Sequence, residues 1–152
     1  MTFFVLTVDT KGQTFNLKSS HVQIGDIYIP NPHIRFEFAK WTIVSESLEE
    51  LDRIATFLIK HDSVMVEVRT HTDSRGSKQS SRRLDYKRSE SVVAYLINKG
   101  VSPNQLIAKG YGDTEPIVTD EEIALMQTDQ QKEEAHALNR RVDFKVIEIL
   151  RL

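Results

Sequence analysis

Apolar and polar positions along this chain repeat in two different periods, and the switches between them lay out its elements. Thr2–Val8 (TFFVLTV) and Val22–Ile29 (VQIGDIYI) are β-rich runs, and Asp9-Thr10-Lys11-Gly12 between them reads as a turn. Pro30 and Pro32 end this texture, so residues 1–32 are expected to form a β-rich extension or the tail of a preceding module, with the main domain over 33–152. Ile34, Phe36 and Phe38 alternate with Arg35 and Glu37, which predicts a half-buried strand. Leu48, Leu51, Ala55 and Leu58 then recur at helical spacing, with Ser47 and Glu50 as a capping box. Val64, Val66 and Val68 alternate with Met65, Glu67 and Arg69 as a second strand. A helix over Leu84–Asn98 stops at Lys99-Gly100, and Pro103 leads into a short strand, Gln105–Gly112. Thr119–Leu138 is polar and helical, opened by a Thr119/Glu122 cap, and Val142–Ile149 closes the chain as a strand. Strands alternating with helices predict an α/β fold: a two-layer sandwich of a mixed sheet with helices on one face.

Composition changes this picture little. The 152 residues suit one compact core, and 39% apolar with 28% charged residues is ordinary for a globular domain. A formal net charge of -2 argues against a dedicated nucleic-acid binder. Without cysteine there is no disulfide framework, cysteine-based zinc site or thiol nucleophile. The start, MTFFVLTVDTKGQ, is not a secretory signal, since its apolar run is short and lacks a basic leader. No stretch approaches the roughly 20 apolar residues of a membrane helix. Membrane attachment is therefore expected only through parts outside this chain.

The candidate chemistry sits between Val68 and Val93. With Leu84 at zero on a helical wheel of about 100° per residue, Tyr95, Arg88, Val92 and Leu96 fall within one arc. Arg88 is thus expected within the apolar stripe, where an unpaired charge costs several kcal/mol, roughly. Its stem could pack while its head reaches water, or it could pair with Asp73 or Asp85. Alternatively, the guanidinium lines a cleft and grips a carboxylate bidentately. Asp73, in the loop His71-Thr72-Asp73-Ser74-Arg75-Gly76-Ser77, falls at the end of a strand, an edge where α/β folds keep ligands. It could equally cap that loop as an Asx-turn. An acceptor at Asp73 beside a donor at Arg88 would suit a zwitterion carrying ammonium and carboxylate on one carbon.

These residues resemble a known family. Thr72-Asp73-Ser74-Arg75-Gly76-Ser77, Leu84, Arg88 and Val92–Leu96 are similar to the OmpA-like peptidoglycan-binding domain. Lys99-Gly100-Val101, Ala108–Gly112 before Pro116, and Asn139-Arg140-Arg141-Val142 continue the likeness in order, as do Ile34–Phe38 and Trp41, over residues 33–148. The resemblance implies a non-catalytic domain, without cofactor or metal, that tethers an outer-membrane or other envelope protein to the cell wall on the periplasmic face of a Gram-negative outer membrane. It implies diaminopimelate of the peptidoglycan stem peptide as ligand, with Asp73 receiving its ammonium and Arg88 its carboxylate. Thr72 and Ser81 would contribute to the pocket, and Arg141 would support it, with Arg140 as the alternative. Ser81 stands where the family commonly has Asn, Asp85 where it has Ser, and Thr70 where it has Gly. An envelope-assembly or stator-type role on the same fold is the alternative, and a peptidoglycan-processing enzyme a more distant one.

Other constellations are weaker. His71 and Asp73 suggest a metal site, but His21, His33, His61 and His136 have no ligand spacing. No Gly-x-Ser-x-Gly element is present for a hydrolase. Arg82, Arg83, Lys87 and Arg88 form a basic run without the interleaved aromatics of a nucleic-acid platform.

Overall fold

The alternating valines build the centre of the molecule. In the computed structural model, which describes residues 12–76 and 78–150 and the side chains of these except 78–81, Val64–His71 is strand β2 of a four-stranded sheet. The Thr2–Val8 run, most of the turn after it, and the side chain of Ser81 lie outside the described residues. The strand order is β1 (Ile27–Tyr28), β4 (Arg141–Ile149), β2, β3 (Leu106–Gly112). β2 pairs parallel with β3 and antiparallel with β4, and β1 pairs antiparallel with β4, so the sheet is mixed as the element order requires. Val64, Val66 and Val68 face the same way as Phe144 and Val146 and are buried against Leu51, Ile54 and Leu58 of helix α1 (Leu48–Lys60). Val92 and Leu96 of helix α2 (Lys78–Asn98) complete this core. Each of these side chains stabilises the fold by about 1.5–3 kcal/mol through burial.

The Ile34–Phe38 alternation does not make a sheet strand. Ile34 is buried and Phe36 half-buried, but Phe38 is 96% exposed. The chain turns at Ala39, whose φ is 56°, and pairs with itself instead: Glu37 N donates to Thr42 O (2.9 Å) and Val44 N to Arg35 O (3.1 Å). The sheet edge is taken by Ile27–Tyr28 from the segment read as an extension. Phe15, Leu17, Val22 and Tyr28 also pack on the core.

Ser47 and Glu50 do not form a capping box. Ser47 is buried, and its Oγ accepts from Arg35 N at 2.9 Å; Glu50 accepts from the Tyr28 hydroxyl and from Arg53 Nε at 2.8 Å. Tertiary partners have outcompeted the local cap, and a 3₁₀ turn over Ser45–Ser47 opens the helix. The predicted Thr119/Glu122 box is present and starts α3 (Asp120–Ala124); a second, Thr128/Gln131, starts α4 (Asp129–Asn139).

α2 begins six residues before the predicted Leu84 and ends as expected at Gly100, with φ 105° and Val101 N donating to Leu96 O at 3.1 Å. Its first half lies against β3 with no room for a side chain between them. A Cβ on Gly110 would meet Tyr86 N at 2.6 Å and Arg82 O at 2.8 Å, so glycine is required there. Among the described residues no helix is long and apolar enough to cross a membrane.

Candidate functional site

The buried row of α2 is Asp85, Ser89, Val92 and Leu96, all fully enclosed. On the wheel used above this row centres at about 110°, which leaves Arg88 about 70° to one side. Arg88 is therefore not within the apolar stripe but on its flank, half-buried against the Phe36–Ile43 turn. Its Nε donates to Lys40 O at 2.9 Å and its guanidinium lies 5.0 Å from the centre of the Phe36 ring. Among the described residues it has no carboxylate partner within ion-pair distance, so neither Asp73 nor Asp85 neutralises it directly. Burial lowers its affinity for a proton, and the nearby charge of Asp85 opposes that.

The polar half of the row explains why a helix that begins this polar can be buried. Ser89 Oγ sits 2.8 Å from Thr70 Oγ1 and donates to Lys109 O at 2.9 Å. Asp85 Oδ2 accepts from Gly112 N at 3.0 Å. Among the described residues neither its Oδ1 nor the buried Thr72 Oγ1 has a partner at full hydrogen-bond geometry, although the Thr72 hydroxyl lies near enough to favour the carboxylate charge. Burial pushes the Asp85 carboxyl up to about 7, against the pull of the Gly112 N–H and the Arg88 charge. Thr72 N donates to Gly112 O at 3.0 Å, so Thr72 and Asp85 meet through the same glycine at the end of β3.

Asp73 lies just beyond β2, and its carboxylate is crowded with cations. Oδ1 accepts from Arg75 N (2.9 Å) in an Asx-turn and from Arg75 Nε (3.2 Å); Oδ2 accepts from Arg75 Nη2 (2.9 Å) and Arg140 Nη1 (2.8 Å). Burial works against ionisation here, but the hydrogen bonds from Arg75 and Arg140 outweigh it and hold the carboxyl at about 2. Glu133 of α4 closes the group, accepting from Arg75 Nη1 at 2.9 Å and Arg140 Nη2 at 2.8 Å. A cavity of about 160 Å³ opens alongside, walled by Thr72, Ser74, Asp113, Pro116, Asp120 and Asn139.

The two arginines of the Asn-Arg-Arg-Val run go to different places. Arg140, at the end of α4, reaches Asp73. Arg141 opens β4 and is buried, donating to Asp143 Oδ2 (3.1 Å) and Glu115 O (2.9 Å). Asp143 also accepts from Arg69 Nε at 2.5 Å and faces His71 Nε2 at 3.0 Å. His71 is thus committed to the sheet face away from the core, while Asp73 leaves the strand, and the two do not share a face. Arg75 and Glu133 did not emerge from the sequence. Arg75 carried a usable signal, lying two residues after Asp73 before a turn glycine; Glu133 carried none, because it arrives from 58 residues away.

Comparison with known proteins bears on the fold and the family. Residues 35–130 match the OmpA family. The peptidoglycan-associated lipoprotein of Buchnera aphidicola is 32% identical over 108 residues, covering 71% of this chain and 57% of that protein. Outer membrane porin F of Pseudomonas fluorescens is 30% identical over 113 residues, covering 74% of this chain and 32% of the porin. The chain therefore spans about a third to just over half of the length of these relatives. The periplasmic domain of MotB from Helicobacter pylori superposes with a TM-score of 0.60 at 26% identity, over 83% of this chain and 79% of that domain. With the family matched over more than half of its residues and the same architecture in the solved relative, this chain belongs to the OmpA family.

Proposed function

We propose that this chain binds peptidoglycan without catalysing its turnover, and that it does so through diaminopimelate of the stem peptide, tethering an envelope protein to the cell wall at the periplasmic face of a Gram-negative outer membrane. The single observation that carries the reading is Arg88: a half-buried guanidinium, oriented through Nε by the Lys40 carbonyl, with no carboxylate partner among the described residues. A guanidinium so oriented is set to take a ligand carboxylate, and a charge-assisted bond of this kind contributes about 1.5–3 kcal/mol. Asp73 takes the ammonium, Thr72 flanks it, Arg140 borders it directly, and Arg141 supports the strand behind it. Relatives named as a peptidoglycan-associated lipoprotein and as outer membrane proteins support the wall and the envelope as the setting. The likeness to the MotB periplasmic domain favours a second reading, a stator-type assembly module on the same fold.

Co-sedimentation with purified sacculi tests the assignment. Wild type is expected to pellet with sacculi, and Arg88→Ala and Asp73→Ala to lose about tenfold or more in affinity, as the loss of one charge-assisted contact requires. Undiminished binding by both variants sinks the site. Release of soluble muropeptides from the sacculi would instead reveal an enzyme.

A further inference from the structure

A carboxylate offers about four acceptor positions. Asp73 already has four donors on it, three from Arg75 and one from Arg140. A ligand ammonium can reach Asp73 only if at least one guanidinium lets go, and a guanidinium released without another anion would be stranded beside a positive ligand. Glu133 removes that obstacle. It holds one nitrogen of each arginine, at 2.9 Å and 2.8 Å, and its half-exposed carboxylate keeps acceptor capacity to spare. Asp73, Glu133, Arg75 and Arg140 also form a neutral quartet; without Glu133 the group would carry a net positive charge facing an ammonium. The helical segment 119–138 therefore delivers one charge to the point where it decides what Asp73 can accept.

We infer that Glu133 is a positioning residue of the ligand clamp: it holds Arg75 and Arg140 as a primary ammonium on the ligand displaces them from Asp73, and so keeps that carboxylate open to exchange. The inference rests on the peptidoglycan reading above and adds Glu133 as the residue that makes Asp73 available to the ligand ammonium. Binding becomes an exchange, in which the ligand ammonium replaces guanidinium on Asp73 while Glu133 holds the displaced arginines.

The test measures binding of the whole chain to purified sacculi and to the same sacculi with their amino groups acetylated. Wild type is expected to prefer untreated sacculi by about tenfold, the worth of roughly 1.4 kcal/mol. Glu133→Gln is expected to bring that ratio close to one with an unchanged melting temperature, and Glu133→Asp to keep most of it. Adding Arg140→Ala to Glu133→Gln is expected to restore the ratio, because one competitor for Asp73 has gone. The inference is overturned if Glu133→Gln keeps the wild-type ratio, or if it weakens binding equally to both preparations and lowers the melting temperature. A wild type that shows no preference overturns it as well. A wild type that binds neither preparation rejects the peptidoglycan reading itself, and Asp73→Ala separates the cases: loss of binding there with an unaltered Glu133→Gln leaves the clamp standing and removes only the latch.

Discussion

β2 has a group of charged residues on each side, and the two are completed to different degrees. On the face away from the helices, Asp143 is surrounded by Arg69, His71 and Arg141, and Arg69 has a second anion in Glu115 at 2.7 Å. Arg69, His71, Arg141 and Asp143 are all buried, and the carboxylate accepts from each guanidinium. On the helix side, among the described residues, Asp85 is equally enclosed but one oxygen has no partner at full hydrogen-bond geometry, and Arg88 beside it has a carbonyl and an aromatic ring but no anion. The carboxylate and guanidiniums of the first group satisfy one another, while His71 Nε2 only faces Asp143 at 3.0 Å and its Nδ1 has no partner among the described residues. Charges left half-satisfied cost stability, and on the function proposed above they are the ones that would meet the ligand.

Breaking the completed group should have the largest effect. Asp143→Asn keeps the shape but leaves Arg69 and Arg141 buried against a neutral amide, and losing one member of a buried ion pair typically costs about 3–5 kcal/mol. Urea unfolding at pH 7 should show that loss as a lower midpoint with an unchanged slope. Burial disfavours the Asp143 charge, yet His71 and Arg69 hold its carboxyl down to about 2. Its contribution is therefore present above about pH 4 and lost as pH falls toward 2. A variant as stable as wild type at pH 7 would mean that this group is not what holds β2 to β4.

Removing the unfinished charge should act in the opposite direction. The folded Asp85 carboxyl lies at about 7, above its unfolded value, so between about pH 4 and 7 the native chain keeps a proton that the unfolded chain releases. Stability then falls as pH rises, by about 1.4 kcal/mol per unit and by no more than about 4 kcal/mol in all. Asp85→Asn removes that slope: its amide oxygen can still accept from Gly112 N, and its NH₂ supplies a donor. Plotting the difference between variant and wild type cancels the contributions of the buried His71 and the half-buried His33, whose rings are less basic than usual and act in the same window with opposite sign. The variant should be more stable at pH 8 and indistinguishable near pH 4. A flat difference would show that Asp85 is ionised in the fold at all these pH values.

The completed and unfinished groups were not equally legible. β2, β4 and most of α2 follow from period-two and helical spacing, because packing on one core imposes those periods. Asp73 and Arg88 are legible from where a charge falls relative to apolar neighbours. The wheel then misplaced Arg88, because it assumed that buried positions are apolar, whereas Asp85 and Ser89 occupy the enclosed row. Phe38 misled for a related reason: alternation records two faces but not what covers them, and a tight turn satisfied the backbone without the sheet. Ser47 and Glu50 had the spacing of a cap but found better partners in Arg35 and Tyr28. Glu133 could not be read at all, since long-range ion pairs leave no local period.

The smallest expected effect concerns the turn that holds Arg88 in the unfinished group. Ala39 adopts φ 56°, in the left-handed region, and the next residue supplies the carbonyl that orients the guanidinium. For a residue with a Cβ that conformation costs roughly 1–2 kcal/mol, whereas glycine adopts it freely. Glycine also raises the entropy of the unfolded chain, which takes back about 0.4–1 kcal/mol. Ala39→Gly should therefore stabilise the chain by about 0.5–1 kcal/mol, measured as a higher urea midpoint. Binding to sacculi should change little, because the Lys40 carbonyl remains in place. A less stable variant that also binds more weakly would show that Ala39 restrains the turn rather than straining it, and that the orientation of Arg88 depends on the stiffness of that turn.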